Sequence, residues 1–220
     1  MIICVDGPAA SGKSTVAKLI ANKLGLLYID TGAMYRAVAL CAKNNNISFD
    51  DLPSLEKMLS GLKLEFKIID DTTCIFMNDI DVSEAIREPE ISILSSSIAT
   101  IKIVRQKMVE AQRLMAENSS VILDGRDIGT VVFPHAKYKF FLVATLETRS
   151  LRRLKELNEK GIETDFEKVK QDMIWRDSND SNRTESPLKK ADDAVEIDTT
   201  ALTIEDTANK MLRMIEKAIE

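Results

Sequence analysis

The chain has 220 residues, of which 45% are hydrophobic and 30% are charged, a composition typical of a soluble globular protein rather than a disordered one. Its net charge of −5 provides no general positive field, so neither nucleic acid nor an anionic membrane is expected as a partner. No apolar run approaches the roughly 20 residues of a membrane-spanning helix, and the first residues run straight into a motif, which leaves no room for a signal peptide.

The cysteine and histidine content argues against a fold based on disulfides or on a metal. Cys4, Cys41 and Cys74 are far apart and odd in number, which favours reduced thiols and a cytoplasmic protein. The single histidine, His135, has no second histidine with which to form a metal site, so we interpret it as structural.

The N-terminal part of the chain alternates between predicted strands and helices. Apolar runs at residues 2–5 and 26–29 are typical of buried strands. Apolar residues recur at helical spacing through residues 13–24, where Gly25 follows as a stop signal, and a second helix is expected at about residues 33–43. This strand–helix–strand–helix order predicts a parallel sheet.

The middle of the chain has a different pattern. Short antiparallel strands are expected at residues 64–69, 74–77 and 79–82. The first two are joined by a turn at residues 70–72, and two helices follow at about residues 89–99 and 101–117. An antiparallel block within a parallel pattern indicates an inserted subdomain, which we place at about residues 63–117.

The parallel pattern returns in the C-terminal half. Further strands are expected at residues 121–124, 139–143 and 194–197. Helices are expected at about residues 147–158 and 165–175, and a closing helix begins near Thr203, where Thr-Ile-Glu-Asp is a capping sequence. The predicted fold is therefore α/β, a single domain whose core (about residues 1–62 and 118–220) surrounds a central parallel five-stranded sheet.

Residues 7–14 read GPAASGKS, a complete match to the phosphate-loop pattern GxxxxGK[ST] between a predicted strand and a predicted helix. Gly7 and Gly12 let the backbone curl so that several N–H groups point toward a polyphosphate. Lys13 is expected to contact the β- and γ-phosphates, and the Ser14 hydroxyl to bind Mg²⁺. The expected ATP-binding residues of this loop are Gly7, Pro8, Ala9, Ala10, Ser11, Gly12, Lys13, Ser14 and Thr15.

The loop indicates a P-loop NTPase-type three-layer fold but not the phosphoryl acceptor, because GTPases, ATP-driven motors and small-molecule kinases share it. The sequence has no NKxD motif to read guanine, which disfavours a GTPase, and its short length disfavours a mechanical ATPase. Two alternatives are left: a kinase for a small molecule, and a regulator that binds ATP as a switch. A switch needs no second phosphate-binding site.

Four later segments are candidates for such a second site. They are DTGAMYRA at residues 30–37, DGRDIGTVVFP at 124–134, RSLRRL at 149–154 and RDSNDSNR at 176–183. Each also has a plainer interpretation: Arg126 and Asp127 as a structural ion pair, the third segment as a solvated helix face, and the fourth as a turn-rich polar loop. Arginines in four segments beside a phosphate loop nevertheless favour transfer between two phosphates. Asp124, at a strand end near the loop, suits an outer-sphere contact to Mg²⁺.

Read in order, GPAASGKST, DTGAMYR, DGRDIGTVVFP and RDSNDSNR resemble the matching segments of the bacterial cytidylate kinases, and the resemblance extends from residue 2 to near the C-terminus. Adenylate kinases share the phosphate loop but lack both the DGRDIGTVVFP segment and the insertion. The resemblance implies a P-loop core, a small antiparallel subdomain that binds a nucleoside monophosphate (about residues 63–117) and a short mobile lid (about residues 149–183).

The resemblance also implies an activity, the phosphorylation of CMP and dCMP by ATP with Mg²⁺. The enzyme is then expected in the cytoplasm as a monomer with small-molecule partners, and with neither nucleic acid nor a membrane as a partner. A kinase for UMP or for another small molecule is the alternative among enzymes.

The resemblance assigns the CMP-binding residues by their positions in the matching segments. Those for the phosphate are Arg36, Arg126 and Arg183; those for cytosine are Ser96, Arg105 and Asp127; those for the ribose are Arg176 and Asp180, with Thr31 near the nucleotide. An acid and a serine can accept from the cytosine amino group while an arginine donates to N3 and O2, a pairing that uracil disrupts. Ser95 and Ser97 flank Ser96, so a register shift of one residue is an alternative.

The catalytic residues that the resemblance implies are Lys13, Arg126, Arg152 and Arg183. These cations would neutralise charge as the two phosphates approach each other. Arg152, with Arg149 or Arg153, would belong to the lid over the ATP phosphates. Asn179 stands where some members of the family carry a basic residue, which would leave this lid with one positive charge fewer.

Overall fold

A computed structural model describes residues 1–70 and 72–216. Its strands are β1 (Ile2–Asp6), β2 (Leu27–Asp30), β3 (Leu64–Ile69), β4 (Thr72–Met77), β5 (Ile80–Asp81), β6 (Val121–Gly125), β7 (Tyr138–Val143) and β8 (Val195–Asp198). Its helices are α1 (Lys13–Leu24), α2 (Thr31–Asn44), α3 (Leu52–Ser60), α4 (Pro89–Ile98), α5 (Lys102–Ala116), α6 (Leu146–Glu159), α7 (Phe166–Asn182) and α8 (Ile204–Glu216). A 3₁₀ turn at Ala85–Arg87 and a π-helical turn at Ile128–Val132 complete the helical segments of the described residues. Asp71, in the predicted turn at residues 70–72, lies outside them.

The central sheet has five parallel strands in the order β2–β6–β1–β7–β8. β1 pairs with both β6 and β7, so that Ile2 lies opposite Val121 and Ile3 opposite Tyr138. Ile3 and Val5 have no exposed surface, as expected for an apolar strand in the middle of a parallel sheet. The predicted α/β fold with a parallel five-stranded sheet is therefore confirmed.

Helices α1 and α8 pack against each other and contribute to one apolar core with the sheet. Val16 and Ile20 are four residues apart and therefore share one face of α1, and both are fully buried in this core. Gly12 and Gly25 adopt left-handed conformations, with φ of 93° and 62°, and mark the two ends of the helix. The helix predicted at residues 13–24 is thus confirmed.

The chain divides into two compact units. The first contains Met1–Tyr28 and the chain from Ser119 onward, and the second contains Ile29–Asn118. The second unit has its own antiparallel sheet, β3–β4–β5, as the sequence predicted. Within this unit α2 packs against α4 and α3 packs against α5. The bounds of the nucleotide-binding subdomain, about residues 63–117, stay a prediction.

Helix α3 was not predicted from the sequence, which suggested no element between the second helix and the third strand. The Asp51 carboxylate caps its start by accepting a hydrogen bond from the Ser54 backbone at 3.1 Å. Leu55 and Leu59 are buried on one face of this single short amphipathic helix. The fifth strand, Ile80–Asp81, is shorter than the predicted strand at residues 79–82.

All of the RDSNDSNR segment except its last residue, Arg183, is helical, so its plainer interpretation as a turn-rich polar loop is wrong. Helix α7 continues past the predicted end at residue 175 and reaches Asn182. Ser, Asn and Asp favour turns when their side chains bond to nearby backbone. Here the Asp177 carboxylate lies 2.7 Å from Arg149, and the Asp180 carboxylate lies 2.7 Å from Arg126. Both carboxylates thus contact distant arginines, which leaves the backbone free to stay helical.

No helix within residues 1–70 and 72–216 is long and apolar enough to cross a membrane. The thiols of Cys4, Cys41 and Cys74 are free, and the first two are buried. Burial, with the charge of Asp6 as a smaller effect, raises the pKa of the Cys4 thiol well above its ordinary value.

Gly7 lies so close to strand β7 that there is no room for a side chain at this position. Its φ is +147°, and a Cβ atom placed on it would lie 2.1 Å from the backbone oxygen of Leu142 in β7. Because a strand carbonyl inside a sheet cannot move aside, we expect Gly7→Ala to lower the free energy of unfolding by at least about 3 kcal/mol, measured by urea denaturation.

Gly161→Ala is the matched control. Gly161 also has a positive φ, +71°, but a Cβ there would have no neighbour within 4 Å. This variant should lose only about 1 kcal/mol, the strain of the left-handed backbone. Equal losses in the two variants would show that the contact with Leu142 is not what excludes a side chain.

Candidate active site

The phosphate loop connects β1 to α1, and its backbone prepares the start of the helix for an anion. Gly12 is the N-cap residue, and no side chain caps the start of α1, so its first N–H groups can donate to an anion. Ala10 also has a positive φ, 57°, within the same turn. The Lys13 ammonium folds back over the loop and donates to the Pro8 carbonyl at 2.8 Å.

Lys13 lies in an environment that disfavours its own charge. Its side chain is buried, and burial, followed by the positive charge of Arg126, lowers the pKa of Lys13 to about 7. Asp124 opposes this shift, Arg176 adds a smaller lowering effect, and Asp180 opposes it least. A phosphate placed beside Lys13 would reverse this balance. The arrangement is therefore suited to bind a polyanion.

Asp124 is the last but one residue of β6 and accepts two hydrogen bonds from side chains of the same unit. The Ser14 hydroxyl donates to Asp124 Oδ2 at 2.8 Å, and the Tyr28 hydroxyl donates to Oδ1 at 2.7 Å. Asp124 is buried, so these contacts orient its carboxylate toward the first turn of α1. Tyr28 was not among the predicted site residues, although it lies on the second strand of the sheet.

Ser14 and Asp124 also meet the chemical requirement for Mg²⁺, since the ion prefers hard oxygen ligands and usually keeps waters and phosphate oxygens in its shell. The described residues (1–70 and 72–216) include no cluster of three or more His, Cys, Asp or Glu side chains that could hold a metal. Ser14 and Asp124 place two oxygen atoms of the preferred kind side by side, 2.8 Å apart.

Arg126 and Asp180 form a close ion pair next to the phosphate loop. Arg126 Nε donates to Asp180 Oδ2 at 2.7 Å, between the end of β6 and helix α7. Burial acts to lower the pKa of Arg126, but attraction to Asp180, Asp124 and Asp177 outweighs it and raises the pKa. Burial alone would raise the pKa of Asp180, but the neighbouring arginines outweigh it, and the pKa is lowered.

The remaining predicted CMP-binding residues of the first unit lie around this pair. Arg183 Nη2 is 3.7 Å from the carboxylate of Asp127, and Arg183 Nε donates to the Ser186 carbonyl. Arg176 acts electrostatically on both Lys13 and Asp180. The structure thus brings Arg126, Asp127, Arg176, Asp180 and Arg183 close to one another.

The arginines predicted for the lid have different surroundings. Arg149 is buried and donates to the backbone oxygens of Ala144 at 3.0 Å and of Ala9, within the phosphate loop, at 3.3 Å. Arg149 is therefore not on a solvated helix face. Arg153 pairs with Glu156 one turn further along α6, at 2.8 Å.

Arg152 reaches the phosphate loop through Thr199, which the sequence did not single out. Arg152 Nη2 donates to the Thr199 carbonyl at 2.6 Å and Nη1 to its hydroxyl at 3.1 Å. The Thr199 hydroxyl lies 2.9 Å from the Ser11 carbonyl, to which it can donate. Thr199 directly follows β8, and the rule that ligands bind at the carboxyl ends of parallel strands would have identified it.

The second unit contains the other predicted CMP-binding residues. Arg36 lies 3.2 Å from Asp30, at the start of α2, and Thr31 is buried beside it. The buried Arg105 guanidinium lies 5.5 Å from the centre of the Tyr35 ring, and Arg105 Nη1 donates to the Ala99 carbonyl at 3.2 Å.

The three consecutive serines of α4 differ in their contacts. The Ser95 hydroxyl donates to the Ser92 carbonyl at 2.9 Å, and the Ser97 hydroxyl contacts the Ile93 carbonyl at 3.5 Å. Ser96 is as buried as Ser95, whereas Ser97 is only partly buried. Burial therefore favours Ser96 over Ser97, and the assignment of Ser96 to cytosine stays a prediction.

A phosphate loop between the first strand and first helix of a parallel sheet, with a strand-end carboxylate on its serine and arginines beside it, defines a P-loop kinase. The chain belongs to the cytidylate kinase family, whose family model matches residues 3–217. The family resemblance of the sequence motifs is thereby confirmed.

Curated relatives match along nearly the whole chain. It is 52% identical to a cytidylate kinase of Fusobacterium nucleatum over 217 residues, 99% of this chain and 98% of that protein. It is 47% identical to a cytidylate kinase of Lactobacillus johnsonii, over 99% of this chain and 94% of that protein. Among solved structures, an uncharacterized protein from Eubacterium ventriosum has a similar fold, with a TM-score of 0.53 at 11% identity over 99% of this chain and 98% of that one.

The charge of Lys13 leads to a prediction about stability. The pKa of Lys13 is lowered from 10.5 to about 7, so between these values the unfolded chain binds more protons and stability rises with pH. Below about pH 7 the unfavourable buried charge is fully present. We expect Lys13→Met to abolish turnover yet to exceed the wild type in unfolding free energy by about 2 kcal/mol or more at about pH 6.5.

The excess stability of Lys13→Met should shrink between about pH 7 and pH 9.5, as urea denaturation across pH would show. Lys210→Met, at an exposed position of α8, is the control and should follow the wild type at every pH. A stability gain that does not change with pH would contradict the effect of the buried charge.

Proposed function

We propose that this chain transfers the γ-phosphoryl group of ATP to CMP, and also to dCMP. The observation that carries the proposal is the group of cations in the first unit, the buried Lys13 with the half-buried Arg126 and Arg176 acting on it. Burial is the main cause of the lowered pKa of Lys13, and the two arginines lower it further, although Asp124 and Asp180 oppose them. Membership of the cytidylate kinase family supports CMP as the acceptor.

ATP would be held by the phosphate loop. The backbone N–H groups of Gly7 and of residues 9–15 would bind its phosphates, with Pro8 lining the loop. Lys13 would leave the Pro8 carbonyl for the β- and γ-phosphates. Ser14 would bind Mg²⁺ directly and Asp124 through water. When bound, Mg²⁺ would neutralise phosphate charge and polarise the γ-phosphoryl oxygens. Arg152, which bonds to Thr199, would lie over the ATP phosphates as part of the lid and neutralise part of their charge.

The CMP phosphate would be held by Arg126 and Arg183, with Arg36 as a third phosphate contact. Asp180 is paired with Arg126 in the free chain. When CMP binds, Asp180 and Arg176 would form hydrogen bonds with the ribose hydroxyls. Asp127 would accept the cytosine amino group, and Ser96 and Arg105 would contact the base. Asp127, Ser96 and Arg105 are all buried, which supports a role in base selection, since a wrong base would leave buried polar groups unpaired.

The reaction needs little from the protein beyond alignment and charge. A CMP phosphate oxygen is already anionic near neutral pH and attacks the γ-phosphorus in line, so no general base is required. Lys13, Arg126 and Arg183 would stabilise the charge that accumulates as the two phosphates meet. We further propose that the enzyme acts in the cytoplasm as a monomer, with neither nucleic acid nor membrane partners.

The first test is ADP release with ATP and Mg²⁺, using CMP, dCMP, UMP and AMP in turn. We expect CMP and dCMP to give the fastest release, because the cytosine amino group satisfies the buried acceptors. Faster release with AMP would overturn the cytosine assignment. ATP binding without CMP-dependent ADP release would instead support a nucleotide-binding regulator.

The second test is Arg126→Lys. A lysine keeps the charge but cannot bind a phosphate and Asp180 through a planar fork, so kcat should fall by about 10²-fold or more. Arg213→Lys, on the exposed face of α8, is the matched control and should keep wild-type kinetics. Equal kinetics in the two variants would remove Arg126 from the catalytic residues.

A further inference from the structure

Asp6 is a buried carboxylate that the proposed reaction leaves without a role. It is the last residue of β1 and directly precedes the phosphate loop. Its carboxylate accepts hydrogen bonds from a different segment: Oδ1 accepts from the Ile128 backbone at 2.9 Å, and Oδ2 accepts from the Gly129 backbone at 2.7 Å. The carboxylate therefore fixes the segment that follows β6.

The peptide bond between Asp127 and Ile128 is held from both sides. Its N–H donates to Asp6, and its carbonyl oxygen accepts from the Val131 and Val132 backbones at 2.9 and 3.2 Å. Asp127, the proposed acceptor for the cytosine amino group, is thus anchored through its own backbone. Since a side chain can be no better placed than its Cα atom, the position of Asp127 depends on Asp6.

Only a carboxylate of this length can serve both N–H groups. Each oxygen of Asp6 accepts from one donor, whereas the amide of an asparagine would direct its own NH₂ group at one of them. Burial of the charged carboxylate is unfavourable and raises the pKa of Asp6 to about 7. The hydrogen bonds from Gly129 and Ile128 oppose this shift. Packing alone does not require an acid at this position.

Gly129 shows that the contact is also sterically close. A Cβ atom on Gly129 would lie 3.2 Å from Cδ of Lys139 and 3.4 Å from Oδ2 of Asp6. The glycine backbone has no positive φ, so an alanine there would act through space and not through backbone strain. Gly129→Ala therefore offers a second, independent way to disturb the same contact.

We propose that Asp6 is a positioning residue for base selection, which holds Asp127 in place through the backbone of Ile128 and Gly129. This rests on the proposed function, in which Asp127 contacts cytosine. Asp6 itself touches neither substrate. It acts on the acceptor side of the reaction, although it lies next to the donor-binding loop in the sequence.

The test is steady-state kinetics of Asp6→Asn with CMP, UMP and ATP. Because a displacement of about 1 Å can change rates by 10²-fold, we expect KM for CMP to rise by about tenfold or more, while KM for ATP stays within about twofold. The preference for CMP over UMP should fall by about the same factor as CMP affinity. A role limited to stability would lower the active fraction and leave KM and base preference unchanged.

Asp51→Asn is the matched control, because Asp51 also accepts a backbone N–H but lies at the exposed start of α3. It should leave both KM values and the base preference as in the wild type. If Asp6→Asn does not fold, Gly129→Ala decides, and it should raise KM for CMP selectively. Equal increases in both KM values, or an unchanged KM for CMP, would overturn the role of Asp6. A wild-type enzyme that does not phosphorylate CMP would instead refute the proposed function.

Discussion

The pairing of β1 with β6 and β7 is the constraint on which the site of the first unit depends. Parallel strands in register end at one edge of the sheet, so the segments after each strand meet there. Two contacts show this directly. Arg149 joins the Ala9 and Ala144 carbonyls, which follow β1 and β7, and the Thr199 hydroxyl after β8 reaches the Ser11 carbonyl after β1. The phosphate loop is therefore supported by backbone from several strands.

Charge is distributed unequally at this edge. Arg126 has a carboxylate partner, Asp180, and its pKa is raised, whereas Lys13 has a carbonyl partner and its pKa is lowered. The arginine is thus stabilised within the protein, while the lysine gains full stabilisation only from a bound anion. Such a site favours ligand binding over the stability of the free chain, a common feature of active sites.

The sequence was sufficient for the parts of the fold that follow from local pattern. Apolar runs, helical spacing and the phosphate-loop glycines predicted β1, α1 and the parallel sheet, because these elements are determined by neighbouring residues. The extent of α7 could not be predicted, because its Asp177 and Asp180 are held by arginines that lie far away in sequence. Short α3 was missed because its pattern spans little more than two turns.

The site residues also differ in whether local sequence identifies them. Lys13, Ser14 and the arginines belong to motifs and could be named from the sequence, although their roles toward CMP stay predictions. Thr199 could have been found only from its position directly after β8, at the carboxyl end of a parallel strand. Asp6 could not be named, because it acts on the backbone groups of Ile128 and Gly129 in another segment. A backbone partner leaves no trace in residue type.

Helix α7 limits how the chain can change in length. Asp177 pairs with Arg149, which also bonds the phosphate loop, and Asp180 pairs with Arg126. Because successive helical residues are turned by about 100°, a single insertion or deletion between the two acids would rotate one of them away from its arginine. Insertions or deletions on either side of this helical turn would leave both ion pairs in place. The spacing of three residues between Asp177 and Asp180 therefore cannot change without the loss of one pair.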